Sequence, residues 1–184
     1  MGRYAKSYYA GGILALATGK VIIENCYASG NVTCAINSGG IVGRMTGTTA
    51  DLTISGCIAW NPSVSSPRVT LTSCTSGAVA GSVQNTATLK DCWRRIDMEF
   101  ADPFIPVLID HENVIGANPP VPEGHNVYDS GSHNHYNGKA APLGATLGSL
   151  ARSLGWDSTI WNLESGSSEL GFAVEQLGDN KIEF

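Results

Sequence analysis

A chain of 184 residues, with 15% charged residues and 22 glycines, is long enough for one sizeable domain and suits many short strands joined by tight turns better than a helical bundle. The formal net charge of -5, with eleven Lys and Arg in no dense run, gives no long-range attraction to phosphate and argues against nucleic acid as a partner. No window reaches the roughly 18 uninterrupted apolar residues of a membrane span, and Met1-Gly2-Arg3-Tyr4 lacks the apolar core of a secretory signal.

Residues 1 to 10, with Tyr4, Tyr8 and Tyr9, read as an extended lead-in or the tail of a preceding coil. From there one unit recurs three times: a glycine-led apolar strand, a polar turn, and a second strand ending in cysteine. The copies run from Gly12-Ile13-Leu14 to Cys26, from Gly40-Ile41-Val42 to Cys57, and from Gly77-Ala78-Val79 to Cys92, so the cysteine lies 14, 17 and 15 residues beyond the opening glycine. The openings are 28 and 37 residues apart. Such spacing falls in the window of about 20 to 50 residues that marks solenoids. One unit cannot bury its inward face alone; that face becomes a core when copies stack and each strand pairs in parallel with its counterpart.

Stacking predicts coils over Gly12 to Ser38, Gly39 to Ser76, and from Gly77 onward, the first with strands over 12–16, 20–28 and 31–36. Ile41, Val42, Ile54, Ile58, Val79 and Leu89 supply the inner column. The turn Ser29-Gly30-Asn31 carries strong turn chemistry, since Gly and Asn tolerate positive φ. Two prolines make Asn61-Pro62-Ser63-Val64-Ser65-Ser66-Pro67 a loop, and strict alternation makes Val69 to Cys74 a strand. The glycines of the unit imply sharp corners or close backbone approach. Because the first copy opens at Gly11 with strand edges that would be exposed, further coils are expected to precede it.

The five cysteines exclude complete internal pairing. Cys26, Cys57 and Cys92 share one position, each three residues after Ile23, Ile54 or Leu89, and stacking would set their backbones about 4.8 Å apart. Side chains pointing the same way meet a disulfide's torsional requirement poorly, and zinc-type cysteine spacing is missing, so a column of small, reduced, buried thiols is expected.

After Trp93 the repeat dissolves. Arg94 to Phe100 still reads as strand, whereas Pro103, Pro106, Pro119, Pro120 and Pro122 mark an irregular segment with a short strand at Val107-Leu108-Ile109. Gly131 to Gly138 has the composition of an exposed loop. Thr146 can cap a helix whose Leu147, Leu150, Ala151 and Leu154 form an i, i+3, i+4, i+7 stripe, and Gly155 can end it. With Trp156 and Trp161, this helix is expected to lie as a lid on the bare end of the last coil.

The paired glycines, the short apolar strand and Asn25-Cys26-Tyr27-Ala28-Ser29-Gly30 resemble the GLUG-type repeat of secreted and surface bacterial proteins. Ser55 to Val64 resembles the variant of that repeat found in large surface proteins of anaerobic gut bacteria, and Gly155-Trp156-Asp157 to Trp161 resembles their usual C-terminal sequence. The likeness covers residues 11–93 and 125–163 and is absent from 94–124. It implies the C-terminal region of a cell-surface protein, folded as a right-handed parallel β-helix and exported. Such repeats serve as stalks, adhesin segments and appendages of peptidases.

Candidate chemistry is sparse. His133 and His135 share a strand face and could hold a metal with His125 or Asp129, but Ser, Asn and Gly surround them and a solvated loop is the better reading. Asp110-His111-Glu112 reads as a turn. Polysaccharide cleavage needs carboxylates on neighbouring coils of one face; Glu24 and Asp91 fall two coils apart, about 10 Å, with Ser55 between, and Asp51 is the remaining acid. Lys90, Arg94 and Arg95 could contact an acidic sugar but suit a solvated edge. Ser149 lies in the predicted helix, outside any nucleophile-elbow context. Aromatics remain: Tyr27, Ile58 and Trp93 each follow a repeat cysteine and should point outward, as a row that is either exposed or, as we favour, covered by residues 94–124.

The sequence therefore predicts an all-β protein: a short right-handed parallel β-helix of about three coils over residues 1–100, then an irregular segment and a C-terminal cap with one short helix over 101–184. Its expected role is a non-catalytic extracellular cell-surface module, structural or adhesive, with carbohydrate or a surface protein as partner, no cofactor or metal, and Tyr27, Trp60, Trp93 and Tyr136 as ligand surface. The alternative is a polysaccharide-degrading β-helix enzyme, glycosidase or lyase.

Overall fold

The computed structural model describes residues 7–66, 75–83, 87–101, 124–128 and 133–163. Alternating apolar residues between closely spaced Gly, Asn and Ser favour short strands over helices. The first circuit of the chain holds β1 (Tyr9–Gly11), β2 (Leu14–Ala17), β3 (Lys20–Glu24), β4 (Tyr27–Ala28) and β5 (Val32–Thr33). Counterparts follow in the same order: β6 (Asn37–Gly39), β7 (Val42–Met45), β8 (Asp51–Ser55), β9 (Ile58–Ala59) and β10 (Ser63–Ser65), then β11 (Thr75–Gly77), β12 (Ala80–Val83), β13 (Thr88–Lys90), β14 (Trp93–Arg94) and β15 (Glu99–Ala101). Each strand of β6 to β10 lies between its two counterparts and pairs with both in parallel. Ile54 stands opposite Ile23 on one side and Leu89 on the other. The fold is all-β, with strands stacked in parallel sheets as in a parallel β-helix.

Several details differ from the sequence expectation. The circuit has five short strands where three were expected, because corners interrupt each apolar run. Gly77 pairs with Gly39, so Ala78 rather than Gly77 stands where Gly12 and Gly40 do. A side chain on Gly40 would collide with the Ala78 carbonyl oxygen, so close approach of successive circuits explains this glycine. The Ser29-Gly30-Asn31 turn forms without positive φ; positive φ recurs one step before each repeat cysteine, at Asn25 (51°), Gly56 (59°) and Asp91 (49°). The segment expected as a loop around Pro62 contains β10, which pairs on both sides; Pro62 precedes the strand, where its missing N–H group does not interrupt the ladder, and Pro67 lies outside the described residues. Val69 to Cys74 and Val107 to Glu112 lie outside the described residues.

Ile23, Ile41, Val42, Leu52, Ile54 and Val79 form the inner core, with Leu89 packed against it. Each such side chain contributes about 1.5–3 kcal/mol on full burial. Ile58 is fully buried too, but in a second cluster on the outer side of the sheet: Cys57 points inward, so its neighbour points outward. Cys57 reaches the Ile23 carbonyl oxygen at 3.5 Å, and Cys92 reaches that of Ile54 at 3.6 Å. Cys26, Cys34, Cys57 and Cys92 are free thiols.

Two further strands, β16 (Gly124–Tyr128) and β17 (His133–Ala140), form an antiparallel pair. Gly131 to Gly138 is thus not simply an exposed loop. β17 runs antiparallel to β12 through Tyr136 and Asn134, turns at Gly138 (φ 67°) above Val79 and the Cys92 carbonyl, and continues parallel to β14 through Lys139 and Ala140. It thereby crosses the end of the stack, and Asn137 Oδ1 accepts a hydrogen bond from the Ala78 N–H at 2.9 Å. The unpaired edge of the last circuit outweighs the weak strand propensity of His, Asn and Gly.

The helix α1 (Leu147–Ser153) begins as expected: the Thr146 hydroxyl accepts from the Ser149 N–H at 3.2 Å, and the Ser149 hydroxyl accepts from the Thr146 N–H at 3.0 Å. Gly155, at φ 74°, follows its end. Leu147, Leu150 and Ala151 are buried and Leu154 half-buried. The helix lies along the flank of the stack rather than across its end, where β17 already passes.

Candidate functional site

The register places Tyr27, Ile58 and Trp93 in one row on β4, β9 and β14. Alternation makes this row the outer face, as read from the sequence. Among the described residues the cover comes from the chain beyond Ala140: Leu147, Leu150, Ala151 and Trp156 bury Ile58 and pack against Tyr27, Trp60 and Trp93; of the segment 94–124 expected there, residues 102–123 lie outside the described residues. Tyr27 lies 6.5 Å from Trp156 and 5.8 Å, edge-on, from Trp161, while the two indoles are 5.1 Å apart, all centroid to centroid. Trp156 Nε1 donates to the Gly56 carbonyl at 2.8 Å, tying the flank to the corner before Cys57. Burial of an indole is compatible with stability only when its N–H finds such an acceptor.

Of the four candidate ligand-surface residues, Tyr27, Trp60 and Trp93 thus border one cluster, each half-buried. Tyr136 sits elsewhere, on the crossing strand opposite Ala80. That strand brings in a residue the sequence reading missed: Lys139, whose Nζ lies 5.2 Å from the centre of the Trp93 ring. A cation at this range is attracted by the negative face of the indole. Beside them opens a cleft of about 370 Å³ lined by Asp91, Cys92, Trp93, Lys139, Ser153 and Leu154. The pairing of β17 with β14 brings Lys139 to it, and no local motif announces that pairing.

The charged groups of the repeat do not merge. Glu24 is in register with Ser55, whose hydroxyl donates to Oε1 at 3.0 Å, and Ser55 is in register with Lys90. Asp51 is in register with Lys20. Lys90 and Asp91 approach to 4.0 Å, both well exposed. Arg94 and Arg95 do not extend Lys90 into one basic patch: Arg94 is 3% exposed, while Arg95 turns outward and grips Asp97 with two guanidinium N–H groups. This contact holds the Asp97 carboxyl below the usual carboxylate range. Hydrogen bonding with Cys92 and burial push the Cys57 thiol up, away from the reactive thiolate. Burial raises Cys26 as well. No three His, Cys, Asp or Glu side chains converge as a metal-binding group among the described residues. His133 and His135 lie on β17, with their backbones opposite Tyr128 and Asn126; Asp129 is outside the described residues.

A family model described as the GLUG motif matches residues 6–33. The chain carries a GLUG motif. The matched residues include β1 through β5, so the GLUG unit here corresponds to one full circuit of the stack. A crystal structure from Bacteroides ovatus, named "putative immunoglobulin A1 protease", is similar to this chain with a TM-score of 0.61 and 22% identity, over 89% of this chain and 41% of that one. The likeness is one of fold, and this chain spans under half of that protein's length. No curated protein matches the sequence. No helix among the described residues is long and apolar enough to cross a membrane.

Proposed function

We propose that this chain is a non-catalytic extracellular cell-surface module, a right-handed β-helix of three coils that acts as a structural or adhesive segment of a longer protein. The observation that carries the reading is the in-register parallel stack whose first circuit is a GLUG unit. A stack of that kind is stiff along its axis and repeats its outer surface at each circuit, which suits a stalk or a binding face. Carbohydrate or a surface protein is the partner class, reached through the aromatic flank around Tyr27, Trp60 and Trp93, with Tyr136 on the crossing strand.

The polysaccharide-cleaving alternative needs two carboxylates on neighbouring circuits. On the outer face of β3, β8 and β13 the register sets Glu24 beside Ser55 and Asp51 beside Lys20, which supports the non-catalytic reading. Incubating the purified chain with plant and host polysaccharides, and with immunoglobulin A1 as the substrate named for the structural neighbour, is the test. We expect no release of reducing ends and no cleavage, together with surface labelling of intact cells by an antibody to this chain. Catalytic turnover, or antigen confined to the cell interior, would overturn the proposal.

A further inference from the structure

We propose that the cleft beside Trp93 is a subsite for one uncharged sugar unit, an inference that rests on reading the chain as a binding module. The three circuits differ at the row that follows the repeat cysteines. In the first, Tyr27 is held against Trp156 and Trp161; in the second, Ile58 is sealed beneath α1. At the third, the helix has ended at Ser153 and Leu154, and the space beside Trp93 stays open as the 370 Å³ cleft. That volume sits at the small end of the roughly 300 to 1,000 Å³ typical of ligand pockets, enough for a sugar unit but not a chain.

The lining matches the chemistry of a pyranose. Its C–H groups carry partial positive charge and suit the aromatic wall of Trp93, as the Lys139 ammonium does. Its hydroxyls both donate and accept, so they need acceptors and donors together at the rim. Asp91 supplies a carboxylate, 67% exposed and 4.0 Å from the Lys90 ammonium. Ser153 directs its proton to the Leu150 carbonyl at 2.7 Å, which leaves its oxygen as an acceptor. Lys139 supplies the donor. Because one acid and one base border the cleft, a ligand of single charge is opposed by one of them. The corner before the cysteine is Asn25 in the first circuit and Gly56 in the second, so the carboxylate is particular to the circuit that has the cleft.

The test is a glycan array, followed by titration of the intact chain with methyl glycosides of neutral hexoses, N-acetylhexosamines and glucuronic acid, read by tryptophan fluorescence. Asp91→Asn is the main variant, since Asn25 shows that Asn tolerates this backbone corner, and Trp93→Ala is the second. We expect a neutral sugar to bind, with affinity falling about tenfold or more in each variant and the melting temperature of Asp91→Asn unchanged. Unchanged sugar affinity in both variants would place the ligand elsewhere, overturning this cleft while leaving the module reading intact. Preference for glucuronic acid, or binding of peptide ligands alone, would overturn the uncharged-sugar assignment. Failure to bind any array glycan would do the same, and surface labelling of cells would still judge the module reading separately.

Discussion

The described residues form two hydrophobic regions made by opposite means. The inner column is built by repetition: Ile23, Ile54 and Leu89 occupy one register position, and each circuit supplies the same face to the next. The outer flank is built by convergence: Tyr27, Ile58 and Trp93 come from three circuits, while their cover, Leu147 to Trp156, comes from one later stretch. Repetition yields a core whose parts depend on neighbours in a line, whereas convergence clamps several circuits at once. The difference teaches that stacking alone does not finish such a solenoid; a non-repeated segment fastens its side and another crosses its end.

The sharpest way to break the comparison is Ile54→Asp. Ile54 is 0% exposed between two circuits, so a carboxylate there has neither water nor a cation. Loss of cooperative melting is expected, consistent with a cost of about 3–5 kcal/mol for an uncompensated buried charge; circular dichroism would show it, and an unchanged melting curve would refute the inward assignment.

Trp156→Ala attacks the flank instead. Truncating a buried Trp costs about 3–5 kcal/mol, and here it also leaves the Gly56 carbonyl without its indole partner. If the two regions are distinct, the β signal should survive at low temperature while the 141–163 segment becomes cleavable by trypsin at Arg152. Simultaneous loss of all structure would show that column and flank are one cooperative unit.

Smaller effects sharpen the picture. Thr146→Ala removes half of the reciprocal cap of α1, for an expected loss of about 1 kcal/mol by denaturant titration, confined to the flank. The Arg95 and Asp97 pair carries a pH signature. The Asp97 carboxyl is held down in the folded state, so its contribution is present above the ordinary carboxylate pKa of about 3.9 and is lost as pH falls through and below that value. Exposure screens the pair, so the effect should stay below about 1 kcal/mol. Asp97→Asn should remove it at neutral pH and flatten the acid limb of the stability curve.

What could be read from the sequence follows the same division. The repeated cysteines and the apolar residue three before each gave the register, because identical positions in stacked copies must coincide. The first turn of α1 was legible from Thr146 and the stripe beginning at Leu147. The one-residue slip at Gly77 was not, since Gly77 and Ala78 fit the same small-residue position and only backbone pairing distinguishes them. Nor was the crossing strand: His133 to Ala140 has loop composition, and its conformation is imposed by the edges of β12 and β14. Lys139, and with it the cleft, depended on that pairing. The flank was half legible, with Tyr27 and Trp93 placed outward, while the part of their cover that comes from Leu147 to Trp156 was not foreseen.

Methyl-labelled nuclear Overhauser spectroscopy on the Ile and Leu side chains tests the stack itself. In-register parallel circuits require cross-peaks between Ile23 and Ile54 and between Ile54 and Leu89, with a far weaker one or none between Ile23 and Leu89, which lie two strand spacings, about 10 Å, apart. A missing Ile54 to Leu89 contact, or a pattern in which these strands run antiparallel, would contradict the account.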